Sequence, residues 1–438
     1  MPGPRYTSYP SALHFTESIS SDVLLQELQL ATRPLSLYVH LPFCRSLCWY
    51  CGCTTVITRA QKQASYYLNQ LETELDYLHP LLPEQPVVQI HFGGGTPTFL
   101  TPEQLLQLGT LLRRHFTFAK SVEFGVELDP RTVTSEHIEV LREIGCNRVS
   151  LGIQDIQPRV QHAINRIQPW ERIQEVFEQL RKAGFLSINV DLIYGLPYQT
   201  PESFQNTLTQ VASLHPDRWA VFGYAHVPWM KPAQKLLERH PLPQGDTRLQ
   251  IFIQTIEYLT AIGYRYIGLD HFARPEDELS QAQDNRTLWR NFQGYSTHAG
   301  VDIIGLGMSA ISQIGRGYFQ NMRTLDTYYQ ALQEARLPLQ RGYLLSRDDE
   351  IRRYVIMQIM CNSGFTFAEV QQRFNIDMHE YFSDELQRLR SLEADALITC
   401  KEDGIWVTEE GRLFIRNIAM IFDRYLKRHQ TPRYSRTL

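Results

Sequence analysis

The chain has 438 residues, more than one hydrophobic core usually organises, so a large domain and a smaller one are expected. Its composition, 43% hydrophobic and 21% charged, is ordinary for a globular protein, and a formal net charge of −4 gives no broad basic field to attract nucleic acid or anionic lipid. No run of ~18 apolar residues could span a bilayer, and the opening Met1-Pro-Gly-Pro-Arg-Tyr-Thr-Ser-Tyr-Pro10 lacks the apolar core of a signal peptide, so a cytoplasmic location is expected.

Between 35 and 230, short β-branched or alternating runs are separated by helix-length amphipathic segments. The pattern predicts strands over 36–41, 87–92, 122–128, 148–154, 187–194 and 219–226. Helices are predicted over 65–78, 102–116, 135–144, 170–183 and 201–214. This alternation argues for the α/β class, with βα units forming a partial (β/α)6 barrel. In that architecture the loops leaving the C-terminal ends of the strands build the site. A helix over 247–261, a strand over 264–269 and a glycine-punctuated run over 300–312 follow. From 346 the pattern changes to helices over 348–361, 366–374 and 383–392, then a hairpin of 397–400 and 405–407 turning at Asp403-Gly404. A closing helix is predicted over 409–428. These elements read as a smaller, mostly helical, winged-helix-like C-terminal domain that caps the barrel mouth. The expected division is an N-terminal arm 1–34, a main domain 35–345 and a C-terminal domain 346–438. Tyr6 and Tyr9 imply that the arm packs near the active site.

Four of the seven cysteines fall in Cys44-Arg-Ser-Leu-Cys48-Trp-Tyr-Cys51-Gly-Cys53. The other three, Cys146, Cys361 and Cys400, are isolated in apolar surroundings and read as inert core thiols. The clustered four follow the strand Leu37-Tyr-Val-His-Leu, which Pro42 ends, so they lie on a loop able to wrap a compact object. Soft thiolates select iron–sulfur clusters, zinc or Cu(I). Structural zinc usually takes four ligands as two distant pairs, and no second pair exists downstream. An electron-transfer [4Fe–4S] cluster also wants four thiolates, whereas Cys44, Cys48 and Cys51 supply three and leave one iron open. Cys53 is the alternative fourth ligand, but only Gly52 separates it from Cys51, and reaching another corner of the same cube is strained. It is expected to stand outside the ligand set.

Other unusual residues also follow strands. In Gly93-Gly-Gly-Thr-Pro97, glycines let backbone N–H groups approach a ligand, although a tight turn explains them equally well. Glu127, Gln154 and Asp191 sit at strand C-termini, where carboxylates are costly to bury alone. They either pair with a local Arg148 or Arg166 or face the ammonium, ribose and adenine of a cofactor. Period-two alternation puts His40 on the same strand face as Tyr38.

Cys-x3-Cys-x2-Cys after a first strand resembles the radical S-adenosylmethionine superfamily. The longer run from Tyr38 to Cys53 resembles one branch of it, the oxygen-independent coproporphyrinogen III oxidases. So do Gly3-Pro-Arg-Tyr-Thr-Ser-Tyr-Pro10, Gly93-Gly-Gly-Thr-Pro97, Asp191-Leu-Ile-Tyr-Gly-Leu-Pro197, Asp270-His-Phe-Ala-Arg-Pro275 and Arg290-Asn-Phe-Gln-Gly-Tyr295. The resemblance implies a radical-SAM barrel holding one [4Fe–4S] cluster on Cys44, Cys48 and Cys51, and two molecules of S-adenosylmethionine. Tyr38, Gly94, Glu127 and Ile311 would contact the first molecule. Tyr50, Gly95, Thr96, Gln154, Arg166, Asp191 and Ala225 would contact the second, with Tyr50 standing where the family commonly has phenylalanine. His40, Phe292 and Gln293 would serve catalysis, and Arg5, Arg274 and Arg290 are candidates for the substrate propionates. The implied activity is oxidative decarboxylation of two propionates of coproporphyrinogen III to vinyls, giving protoporphyrinogen IX without oxygen. An external electron donor such as flavodoxin or ferredoxin, and a monomer, are expected. The rival is a haem-binding or haem-transfer relative; those commonly lack the equivalents of Cys53 and Arg5-Tyr-Thr-Ser-Tyr9, both present here. A radical methyltransferase acting on haem is a third reading.

Overall fold

Alternation along the first strand sets the architecture. In β1 (Leu35–Leu41), Leu37, Val39 and Leu41 are fully buried on one face, while Tyr38 and His40 point to the other. The same alternation recurs in β2 (Val87–Gly94), β3 (Phe118–Leu128), β4 (Arg148–Gln154), β5 (Ser187–Tyr194) and β6 (Arg218–Gly223). Ile90, Phe92, Val126, Leu151, Val190 and Val221 carry the apolar face. The opposite face carries His91, Glu127, Ser150 and Asp191. Polar side chains inside a sheet are tolerated only where they meet partners or a ligand, so the inner face marks the site before any chemistry is considered.

The computed structural model describes residues 3–82 and 84–427. It divides into two compact units that interleave in sequence, Thr16–Tyr258 with Gly300–Leu344, and Met1–Phe15 with Leu259–Ala299 and Leu345–Leu438. The sequence pattern reads instead as consecutive blocks, 1–34, 35–345 and 346–438, because periodicity reports local structure and not which distant segments pack together.

In the larger unit β1 to β6 lie side by side and parallel. The intervening helices are α1 (Lys62–Leu78), α2 (Pro102–His115), α3 (Ser135–Glu143), α4 (Trp170–Lys182) and α5 (Pro201–Ala212), and Gly245–Ala261 follows β6. This is the expected partial (β/α)6 barrel. Three helices begin at threonine caps, Thr101, Thr134 and Thr200, each accepting from the third helical N–H, which stops the preceding loop sharply. On its other edge β1 pairs in parallel with β7 (Asp302–Leu306). Antiparallel β8 (Ile311–Ile314), β9 (Gly317–Asn321) and β10 (Leu339–Leu344) continue from there. The glycine-punctuated run 300–312 therefore forms β7, its turn and the start of β8.

The smaller unit contains the winged-helix-like elements. Gly364–Thr366 and Ile398–Lys401 pair antiparallel on either side of Gly404–Val407, with helices Arg347–Asn362, Phe367–Phe374 and Ser383–Ala394. Two expectations fail here. The closing helix 409–428 is broken into Glu409–Arg412 and Ile415–Ala419 followed by 3-10 turns to 427, and 428 lies outside the described residues. Asp423 is extended, its Oδ1 accepting from Tyr425 N–H at 2.8 Å and its Oδ2 from the Tyr6 hydroxyl at 2.9 Å, so a local side-chain bond replaces a helical one. Cys400 is exposed on an edge strand, whereas Cys146 and Cys361 are buried as expected.

Candidate active site

The cysteine loop is tied at its base. Phe43–Cys44 pairs in parallel with Val56–Ile57, so residues 44–57 leave and rejoin one short ladder. Trp49 N–H donates to Ile164 O at 3.0 Å, and Asn165 Nδ2 donates to Leu47 O at 2.8 Å. Within this frame each of the three candidate sulfurs has its own donor. Thr96 Oγ1 lies 3.4 Å from Cys44 Sγ, and the Cys53 amide donates to Cys51 Sγ at 3.4 Å. Cys48 Sγ receives Arg131 Nη2 at 3.5 Å and Arg166 Nη1 at 3.6 Å. Among the described residues no three His, Cys, Asp or Glu side chains gather as they would around a single metal ion. Three separately supported sulfurs fit thiolate ligands to a cluster, since hydrogen bonds to sulfur stabilise its negative charge.

Beyond the cysteines opens a cavity of ≈390 Å³ at the C-terminal ends of the strands, a size suited to a small-molecule ligand. Gly94, Gly95, Thr96 and Tyr50 line it with the three cysteines, and so do Glu127, Gln154, Arg166 and Asp191. The glycines are needed for space. A Cβ on Gly94, whose φ is +111°, would lie 2.5 Å from the His40 ring, and one on Gly95 would lie 2.6 Å from the Pro42 backbone. Their amides are already used, Gly94 N–H by Glu127 Oε2 at 3.2 Å and Gly95 N–H by Leu41 O at 2.8 Å. The run thus lets the cysteine loop and β2 approach each other, and its amides do not reach for a ligand.

The strand-end carboxylates do not form the alternative pairs with Arg148 or Arg166. Arg166 pairs with Asp129 at 3.1 Å and Arg148 with Glu123 at 3.3 Å. Glu127 is held by His91 at 3.3 Å and by Gly94 N–H, and its side chain remains 44% accessible from the cavity. Desolvation opposes its ionisation, but the His91 contact and the Gly94 amide outweigh it and hold the carboxyl below its usual range. Asp191 accepts from Ser150 Oγ at 2.7 Å and Asn189 Nδ2 at 2.8 Å, neutral donors, and burial pushes it up to about 6. Both acids therefore line the cavity with no arginine or lysine in contact with them among the described residues. Arg166 spans the floor, donating Nη2 to Gly152 O at 2.6 Å and Nη1 to Asp129, while its buried Nε has no hydrogen-bond partner among the described residues. Gln154 closes β4 with φ +66°, a left-handed conformation uncommon for a non-glycine residue.

Sequence comparison then decides the family. The Radical SAM superfamily matches residues 38–211, and the HemN C-terminal domain matches residues 345–414. The oxygen-independent coproporphyrinogen III oxidase of Salmonella typhimurium is 48% identical over 426 residues, 97% of this chain and 93% of its own length. That of Pseudomonas aeruginosa is 46% identical over 442 residues, 100% of this chain and 96% of its own. The chain belongs to the oxygen-independent coproporphyrinogen III oxidase family. A solved structure of that family, coproporphyrinogen III oxidase (HemN) from Escherichia coli, a radical SAM enzyme, matches with a TM-score of 0.94 at 46% identity, over 96% of this chain and 97% of the other. Radical SAM membership carries with it a [4Fe–4S] cluster and S-adenosylmethionine binding.

The remaining residues suggested by resemblance to the coproporphyrinogen III oxidase family are distributed as follows. Tyr38 pairs with Gly305, and Gly305 packs against the backbone of Ile311, so both residues neighbour Gly305 at the junction of β1, β7 and β8. His40 Nε2 lies 2.9 Å from Thr54 O, which only accepts, so Nε2 carries the proton and Nδ1 accepts the Tyr38 hydroxyl at 3.0 Å. Burial lowers the His40 pKa despite the Thr54 contact, so the ring is neutral. Gln234 Nε2 donates to the carbonyls of Tyr50 at 2.9 Å and Ala225 at 3.2 Å, bridging those two residues. Phe292 and Gln293 belong to the other unit, at the turn joining Trp289–Asn291 to Gly294–Ser296. Arg5, Arg274 and Arg290 lie in that unit as well. Arg290 is 6% exposed and its Nε and Nη1 have no hydrogen-bond partner among the described residues, whereas Arg274 lies 3.9 Å from Glu276. Sequence reading missed Asp129, Arg131 and Gln234. The run Glu127-Leu-Asp-Pro-Arg131 holds a signal, charged residues placed immediately after a strand.

Proposed function

We propose that the chain is an oxygen-independent coproporphyrinogen III dehydrogenase, converting two propionates of coproporphyrinogen III to vinyls and releasing protoporphyrinogen IX. Each conversion removes CO2 and the equivalent of a hydride from one propionate arm. The observation that carries the reading is the trio of cysteine sulfurs, each with its own hydrogen-bond donor, at the rim of a cavity walled by Glu127, Gln154, Arg166 and Asp191.

Cys44, Cys48 and Cys51 would hold the cluster, with Cys53 outside the ligand set and contributing its backbone amide. The cluster and S-adenosylmethionine, when bound, supply the one-electron chemistry that removes hydrogen from an unactivated carbon, which no side chain can provide. The protein binds and orients. Glu127 and Asp191 present acceptors for ammonium and hydroxyl groups, and Arg166 presents a free Nε–H for an acceptor. Two cofactor molecules fit the assignment, Tyr38, Gly94, Glu127 and Ile311 to one, Tyr50, Gly95, Thr96, Gln154, Arg166, Asp191 and Ala225 to the other. His40, with both ring nitrogens engaged, positions the Tyr38 hydroxyl. Phe292 and Gln293 handle the substrate, and the buried, unsatisfied guanidinium edge of Arg290 suits a propionate carboxylate. An external donor of the flavodoxin or ferredoxin type supplies the electron, to a monomer. Among the described residues no helix is long and apolar enough to cross a membrane.

Anaerobic incubation with coproporphyrinogen III, reductant and S-adenosylmethionine, followed by porphyrin chromatography, tests the reading. Appearance of protoporphyrinogen with release of CO2 is expected. Stoichiometric haem binding without turnover would favour the haem-transfer alternative.

A further inference from the structure

Asp129 and Arg131 leave β3 directly beneath the cysteine loop, and no role above accounts for them. Asp129 is 6% exposed and grips Arg131 three times. Its Oδ1 accepts from the Arg131 backbone N–H at 3.0 Å, and its carboxylate accepts from Nε at 3.0 and 3.1 Å and from Nη2 at 2.6 Å. That fork leaves little freedom in the guanidinium plane. The second Nη2 hydrogen is then aimed at Cys48 Sγ, 3.5 Å away. Cys48 is the buried member of the cysteine trio, Cys44 and Cys51 being partly exposed. Arg166 adds a second donor at 3.6 Å, so two guanidinium groups and one carboxylate leave a surplus positive charge beside this sulfur.

We propose that Arg131 sets the reduction potential of the cluster held by Cys44, Cys48 and Cys51, through a hydrogen bond to the Cys48 sulfur that Asp129 holds in place. The inference rests on the cluster-binding reading above. Reduction adds one electron, from the external donor, to a centre already negative from its thiolates. Hydrogen bonds to ligand sulfur and nearby positive charge both favour the reduced form, two of the recognised levers on such potentials. No bond forms at Arg131 and no proton moves. Arg166 makes a similar contact, but it also anchors Gly152 O and is assigned to the cofactor, so its substitution would mix effects. Arg131 is 20% exposed and has no such second assignment, so its charge is only partly screened. It acts through Cys48 and is a tuning residue, not a catalytic one.

The test is a redox titration of the anaerobically reconstituted full chain without S-adenosylmethionine, read by electron paramagnetic resonance of the reduced cluster. Arg131→Gln is expected to keep parental iron and sulfide while its reduction equilibrium falls about tenfold, ~59 mV more negative for one electron. Arg131→Lys, which keeps charge but loses the fork, should fall between. Arg131→Gln with an intact cluster and the parental potential overturns the inference. Should Arg131→Gln lose its iron, Arg131→Lys decides, because a parental potential there also overturns it. A purely structural Arg131 would change melting temperature and iron content alone. Parent protein that assembles no cluster at all would sink the cluster reading, and this inference with it.

Discussion

Glu127 carries its charge without an arginine. His91 and the Gly94 amide hold it ionised while its oxygens stay open to the cavity. Removing one partner of a charge-assisted contact costs roughly 2–5 kcal/mol, because the other partner is left desolvated. Glu127→Ala is therefore expected to keep the cluster and most of its thermal stability while cofactor affinity falls at least tenfold. Equilibrium binding and melting on one preparation separate this from a structural role, in which melting would drop and affinity would hold. Cys53 makes the complementary case. Its backbone amide donates to Cys51 Sγ, a contact that substitution preserves, and only the side-chain contact between the two sulfurs is lost. Cys53→Ala should thus retain iron near the parental level, and an iron loss equal to that of Cys48→Ala would make Cys53 a ligand. At this scale the sequence revealed which residue types cluster but not their donors. Spacing made Cys44, Cys48 and Cys51 stand out, whereas Thr96 and Arg131 reach those sulfurs from other loops and leave no local pattern.

Elements were the most legible level. The predicted strand 148–154 coincides with β4, and 187–194 with β5, because buried residues alternate with less buried ones along most of each strand. The closing helix was not legible: it breaks first after Arg412, and Asp423 then bonds both to Tyr425 N–H and to Tyr6, 417 positions away. The glycine run follows the second strand as expected, and the space it leaves supplies a test. Gly94 and Gly52 both flank the cysteines, yet a Cβ on Gly94 meets the His40 ring at 2.5 Å while one on Gly52 meets nothing within 4 Å. Gly94 also needs positive φ, where alanine is strained by ~1 kcal/mol or more. Gly94→Ala should displace the cysteine loop and lower iron uptake, and Gly52→Ala should leave uptake unchanged. Equal iron contents in the two variants would return the glycines to a ligand-binding explanation.

For the whole molecule the unreadable feature is how its chain is shared between units, because contacts such as Tyr6 with Asp423 have no periodic signature. A second long-range brace sits inside the larger unit and makes its stability depend on pH. Glu74 on α1 is 2% exposed and reaches the turn between β7 and β8, accepting from Gly307 N–H at 2.7 Å. It also accepts from the Tyr328 hydroxyl at 2.7 Å and Asn321 Nδ2 at 2.5 Å. Burial outweighs these three donors and pushes its carboxyl up to about 7. A folded value above the unfolded one means that the stabilisation is fully present below about pH 4.5 and is lost as pH rises through about 7. At one pKa unit per 1.36 kcal/mol the change amounts to roughly 2–5 kcal/mol. Asp155 and Asp191, each raised to about 6, add to the slope at its lower end. The melting temperature of the apo chain should accordingly fall between pH 5 and pH 8. Glu74→Gln should flatten the upper part of that fall, because an amide does not ionise, although its NH2 meets the Asn321 Nδ2 donor and lowers stability by a pH-independent amount. A parental melting temperature that is level across this range, or a Glu74→Gln curve parallel to the parent's, would mean that the Glu74 carboxylate is accommodated at no cost by its three donors.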